Sequence, residues 1–176
     1  MFGLATVLAC FFAVADEGVD QSFAADEATG SVPLREAMAR YYGVRTGNVG
    51  KVIGGEDAKW QDNPWQVALI VGWITEPAEG QFCGGSLIGP DWVVTAAHCV
   101  DGGTKREDVN VLSGTGDLKQ GGKRSNVDAI YVHRAYDPNT HDFDIALLKL
   151  HATAAGKPIT LVSASEEPAI VKWGEK

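Results

Sequence analysis

Among side chains able to move protons near neutrality, imidazole comes first, because its unperturbed pKa lies close to physiological pH. The chain holds four histidines, His98, His133, His141 and His151. An imidazole takes the proton of a serine hydroxyl effectively only when a carboxylate fixes its tautomer and stabilises its cation. His98, in Thr95-Ala96-Ala97-His98-Cys99, and Asp144, immediately before the apolar run Ile145-Ala146-Leu147-Leu148, have the residue types for that division of labour. They lie far apart in sequence, so only tertiary structure can join them. Asp142 reads as loop, His133 as structural, and His141 and His151 as solvated. Ser163 and Ser165, in Leu161-Val162-Ser163-Ala164-Ser165-Glu166, are the only serines after Asp144.

Metal chemistry has little support. The three cysteines, Cys10, Cys83 and Cys99, show neither the Cys-x-x-Cys nor the His spacing of a zinc site. The connector Gly116 to Arg124 contains Asp117 but no glutamate, so it reads as a hairpin loop rather than a calcium loop. The five tryptophans lack the regular spacing of a ligand platform and read as packing residues. No cofactor and no metal are expected.

The elements that must position these residues begin after an address. Phe2 to Ala15 is apolar apart from Thr6, ends in Ala13-Val14-Ala15, and is followed by Asp16 and Glu17. Residues 1–15 therefore read as a secretory signal, too short to span a bilayer. Cleavage there would remove Cys10 and leave Cys83 and Cys99 as an even pair in a compartment where a bridge can form. From Asp16 to Gly30 the chain is acidic and small, a solvated linker. Ser31-Val32-Pro33 opens a predicted short helix with Leu34, Met38 and Tyr41 as a packing stripe and Gly43 as its end. Gly47 to Gly50 reads as an exposed stretch open to proteolysis.

Beyond Lys51 the pattern turns to strands. Pro64 to Trp73, Phe82 to Ile88, Trp92 to Thr95, Val109 to Leu112, Val127 to Val132 and Ile145 to Leu150 are short β-branched or aromatic runs. Gly89-Pro90-Asp91 marks a turn between the second and third. Runs at this spacing, without a long amphipathic helix between them, predict a small all-β barrel or sandwich.

Composition sets outer limits. With 176 residues, 45% hydrophobic and 22% charged, the chain has room for a packed core but not for two full barrels. A net charge of −8 argues against a nucleic-acid or anionic-membrane partner.

Four motifs in order, Lys51-Val52-Ile53-Gly54-Gly55, Cys83-Gly84-Gly85-Ser86-Leu87-Ile88, Thr95-Ala96-Ala97-His98-Cys99 and Asp144-Ile145-Ala146-Leu147-Leu148-Lys149-Leu150, resemble the trypsin-like (chymotrypsin-family) serine proteases, in their N-terminal part only. The resemblance implies an all-β fold: the first Greek-key barrel of a double-barrel architecture, truncated at the start of the second barrel. It divides the chain into a signal (1–15), a pro-region (16–51) and the N-terminal half of a peptidase domain with the inter-barrel linker (52–176). It implies His98 as general base and acid, Asp144 as orienting carboxylate, and activation by cleavage between Lys51 and Val52. The partners implied are protein or peptide substrates and an activating protease, in a secreted setting. The family's Gly-Asp-Ser-Gly-Gly nucleophile setting is not among these residues. The chain alone is therefore expected to be inactive, as the base-bearing part of a serine endopeptidase. The alternative is a non-catalytic secreted homologue that acts as a binding module.

Overall fold

The structure, a computed structural model, describes residues 29–43 and 58–166. The expected signal, the exposed stretch Gly47 to Gly50, the Lys51–Val52 bond and residues 167–176 lie outside the described residues. Six strands form the body: β1 (Gln66–Val71), β2 (Gln81–Gly89), β3 (Trp92–Thr95), β4 (Val109–Ser113), β5 (Lys123–Val132) and β6 (Ala146–Leu150). They close into an antiparallel barrel in the order β1-β2-β3-β6-β5-β4. Consecutive strands pair as hairpins where connections are short, while β3 meets β6 and β1 meets β4 across the chain, which is Greek-key connectivity.

Alternation along the strands fills the interior. Ala146, Leu148 and Leu150 of β6 point inward between half-exposed Leu147 and Lys149, as a two-residue period requires. They meet Val67, Leu69, Leu87, Val93, Val109, Val111 and Val127 in one core. β1 departs from alternation, being buried from Val67 to Val71. Its second face is covered because Ala68 and Ile70 pack with Leu112 and Leu118, while Val71 packs under a helix. Gly85 lets β2 approach β3, since a Cβ there would lie 2.8 Å from both Val93 Cγ1 and the Val94 carbonyl oxygen.

Each predicted strand is present, with one correction at the connector. Lys123 and Arg124, read with the hairpin loop, belong to β5 and pair with Ser113 and Leu112. Ladder pairing drew them in, and the Arg124 side chain knots the turn after β1. It donates to Asn110 Oδ1 and the Ile74 carbonyl at 2.6 Å, and to the Val71 and Gly72 carbonyls at 2.9 Å. Burial lowers the pKa of this guanidinium from its ordinary value, and its acceptors compensate the lost water.

The predicted helix is α1 (Val32–Tyr41). Ser31 caps it, accepting the Leu34 N–H at 3.4 Å, Pro33 occupies the first turn without losing a helical bond, and Gly43 follows its end at φ +76°. Its inward stripe is Leu34, Ala37 and Met38; Tyr41, expected in that stripe, is exposed. A second, four-residue helix, α2 (Pro77–Gly80), was not anticipated. Gly30, assigned to a solvated linker, is instead buried, its N–H bonded to the Gly102 carbonyl at 2.7 Å.

Candidate active site

The β3–β6 ladder explains how distant residues meet. Thr95, the last residue of β3, sits opposite Ala146, the first of β6, in an unbroken antiparallel register. In antiparallel pairing the chain leaving one strand runs beside the chain entering the other. His98 lies three residues past Thr95 and Asp144 two residues before Ala146, so the fork at this end of the ladder brings them together. The single 3-10 turn Ala97–Cys99 carries His98 and is anchored by buried Ala97 and Cys99. Cys99 forms a disulfide with Cys83 of β2, with Cα atoms 6.1 Å apart. On the other side, His141 and Phe143 occupy left-handed backbone at φ +58° and +56°. Non-glycine residues hold such conformations only when their surroundings enforce them, and here they aim the residue that follows.

His98 Nδ1 lies 2.7 Å from Asp144 Oδ2, and the His98 backbone N–H donates to Oδ1 at 2.8 Å. Both carboxylate oxygens are thus committed to one residue. A carboxylate at Nδ1 keeps the ring proton there and leaves Nε2 as the basic nitrogen. Burial alone would raise the Asp144 pKa. The hydrogen bonds from the His98 ring and backbone, the neighbouring imidazole charge and the Ala97 N–H outweigh it, bringing the pKa below its ordinary 3.8. Asp144 is an anion across the neutral range, which is what an imidazole cation needs beside it. Tyr136 is held in its protonated form by burial and by the field of Asp101, Asp144 and Asp137, which raise its pKa.

The remaining predicted residues separate cleanly. Asp142 is exposed loop, its carbonyl accepting the Asp137 N–H. His133 stacks on Phe143 at 5.0 Å between centroids and accepts the Ala135 N–H. His151 pairs with Asp128 at 3.0 Å on the surface. His141 is exposed as expected, yet its ring stands edge-on to His98 at 5.9 Å; nothing in the spacing signalled that proximity, because the left-handed turn creates it. Ser163 and Ser165 bond to each other at 2.9 Å, and Ser163 donates to Glu166 at 2.6 Å. That hydroxyl is occupied by a carboxylate rather than by an imidazole.

Two clusters of the described residues have metal-type donors. The sulfurs of Cys83 and Cys99 are joined to each other and offer no thiolate to an ion beside His98. His98, His141 and Asp144 have donor atoms within 4.8 Å, but a cation there would compete with the His98–Asp144 pairing itself. A surface cavity of about 390 Å³, lined by Arg106, Glu107, Asn126, Asp128 and His151 among others, includes neither His98 nor Asp144.

A closed six-strand barrel with a carboxylate-held histidine beside a disulfide is the arrangement of the first half of a serine-protease fold. The family model described as Trypsin matches residues 52–176, and the chain belongs to that family. Similar proteins include a trypsin from Saccharopolyspora erythraea, 40% identical over 116 residues, covering 65% of this chain and 48% of that protein. A trypsin from Phaedon cochleariae is 40% identical over 101 residues, covering 57% and 37%. Coagulation factor IX from Cavia porcellus is 41% identical over 118 residues, covering 64% and 36%. Among solved structures, the VesB protease of Vibrio cholerae superposes with a TM-score of 0.60 at 35% identity, over 68% of this chain and 36% of that one. The chain thus spans about half or less of the length of these relatives. Among the described residues, no helix is long and apolar enough to cross a membrane.

Proposed function

We propose that this chain supplies the general base and the orienting acid of a trypsin-like serine endopeptidase, His98 and Asp144, to a serine nucleophile carried on a segment outside these 176 residues. The observation that carries the reading is the double hold of Asp144 on His98, one oxygen on the ring at 2.7 Å and the other on the backbone at 2.8 Å. A carboxylate that merely neutralised a surface histidine would not need to fix its backbone as well. In this mechanism Nε2 of His98 accepts the serine proton as the hydroxyl attacks the peptide carbonyl, and the resulting imidazolium donates that proton to the leaving amine.

Two further features support the reading. Val132, Phe143 and Ile145 are exposed beside the dyad, where the His133 N–H bonds the Ile145 carbonyl, and Ile159, Leu161 and Val162 are exposed on the segment that follows β6. A second barrel packed there would cover them. Residues 1–15 act in this scheme as a secretory signal, 16–51 as a pro-region, and hydrolysis of the Lys51–Val52 bond by an activating protease, adding water across it, leaves a Lys51 carboxylate and a Val52 amine. The protein is then secreted and its substrates are proteins or peptides.

Reading the gene past the codon for Lys176 tests the proposal. An open frame that reaches Gly-Asp-Ser-Gly-Gly supports it; a genuine stop at that point favours the non-catalytic binding module. The 176-residue chain cut after Lys51 is expected to hydrolyse no peptide substrate.

A further inference from the structure

Helix α1 lies outside the residues matched by the family, yet it is packed against the barrel as closely as one of its own elements. Leu34 and Ala37 are 1% and 0% exposed, seated on Val71 and Ile74 with Met38 and Phe82 at the margins. Polar contacts fix the register. The Ser31 hydroxyl donates to the Cys99 carbonyl at 2.6 Å, next in sequence to His98, and its backbone N–H donates to Thr104 Oγ1 at 2.8 Å. Gly30 N–H bonds the Gly102 carbonyl at 2.7 Å, and Arg40 donates to the Gln81 carbonyl at 3.1 Å. Gly102 is at φ +61°, and a Cβ there would lie 2.8 Å from the Gly30 carbonyl oxygen, so the barrel's own loop is shaped to this segment. Ser31 is 1% exposed: its hydroxyl is at once the helix cap and the clasp.

We infer that the segment 29–43 is a bound partner of the barrel and stays in this cleft, without a covalent tether, after the chain is cut between α1 and the barrel. The inference rests on the pro-region reading of the proposed function and deepens it, making the activated protein a two-chain complex. No disulfide ties the segment to the barrel; packing and hydrogen bonds hold it among the described residues. Residues 16–51 contain no cysteine, and the two cysteines of 52–176 are paired with each other. Departure would strip the cover from Val71 and Ile74 and leave the Cys99 carbonyl without its buried donor, one residue from the catalytic base. Exposing the apolar floor opposes release, and exchanging the buried hydrogen bonds for water adds a smaller cost.

A site-specific protease recognition sequence placed at residues 44–50 of the full chain provides the test. After cutting, native size-exclusion chromatography with mass spectrometry should find the fragment carrying Leu34 with the barrel, and denaturant should separate the two. Labelled synthetic peptide 29–43, added in excess, should exchange into the cut complex, and the same peptide with Leu34→Asp should lose at least tenfold in binding. The barrel is unaltered in that comparison, so a folding defect cannot produce it. A fragment that separates under native conditions overturns the inference, as does a Leu34→Asp peptide that binds as well as the native one. Because the cut is engineered, the result is independent of whether Lys51–Val52 is a true activation site; digestion by a trypsin-like protease, with sequencing of the new amino terminus, reports on that separately.

Discussion

At the scale of single residues, the decisive pairing joins two groups that are ordinary taken alone. Asp144 is kept anionic below the usual aspartate value because His98 meets both of its oxygens. A carboxylate whose folded pKa lies below its unfolded value stabilises the fold above that unfolded value, and the contribution disappears as pH falls through the folded pKa. The melting temperature of the native chain should therefore exceed that of Asp144→Asn near pH 5, and the margin should close below about pH 4. Thermal melts across that range check it; a gap that widens in acid would contradict the assigned sign. Proton NMR of the imidazole ring should show the hydrogen-bonded Nδ1 proton of His98 in the native chain and its displacement in Asp144→Asn. His98 and Asp144 were legible because each sits in a short motif whose neighbours are themselves informative. His141 was not, since its approach to His98 depends on left-handed backbone at His141 and Phe143, which no side-chain pattern announces.

At the scale of elements, apolar runs and turn residues revealed all six strands, because each run has one inward face to fill. What they could not reveal was pairing between strands distant in the chain. The β3–β6 register, which sets the His98–Asp144 distance, comes from barrel closure. Arg124 escaped for a related reason, being polar and next to glycines in sequence but wrapped by carbonyls of the turn after β1 in space. Its replacement by alanine leaves several of those carbonyls without their donor and should cost about 2–4 kcal/mol by denaturant unfolding. Ser125 on the same strand gives the opposite expectation. Its hydroxyl is buried and has no partner among the described groups, so Ser125→Ala should leave stability unchanged or raise it by up to about 1 kcal/mol. Leu148→Ala, which empties a site at 0% exposure in the core, should cost about 2–5 kcal/mol. The disulfide joins residues separated by 16 positions, and its reduction should cost about 3 kcal/mol by the chain-entropy estimate.

At the scale of the whole molecule, the barrel is closed by its own strands but not fully covered. Phe143 at 61% and Leu161 at 62% exposure are large apolar side chains presented to water beside the dyad and on the segment beyond β6. Surfaces of this kind bind partners or self-associate, so the isolated chain should bind a hydrophobic dye and associate with rising concentration, and Phe143→Ser with Leu161→Ser should weaken both. Length and composition anticipated one barrel rather than two; the helix docked beside the His98 turn was anticipated only as a packing stripe, because its target surface is assembled from distant parts of the fold. The proteolysis proposed above belongs to this scale, since a histidine base and an orienting carboxylate act only on a serine brought to them. The direct measurement is peptide hydrolysis by the gene product extended through the proposed nucleophile segment and cut at the proposed Lys51–Val52 bond, with and without His98→Ala. We expect the substitution to lower turnover by about 10⁴-fold or more; activity within a few-fold of the native protein would show that His98 is not the base.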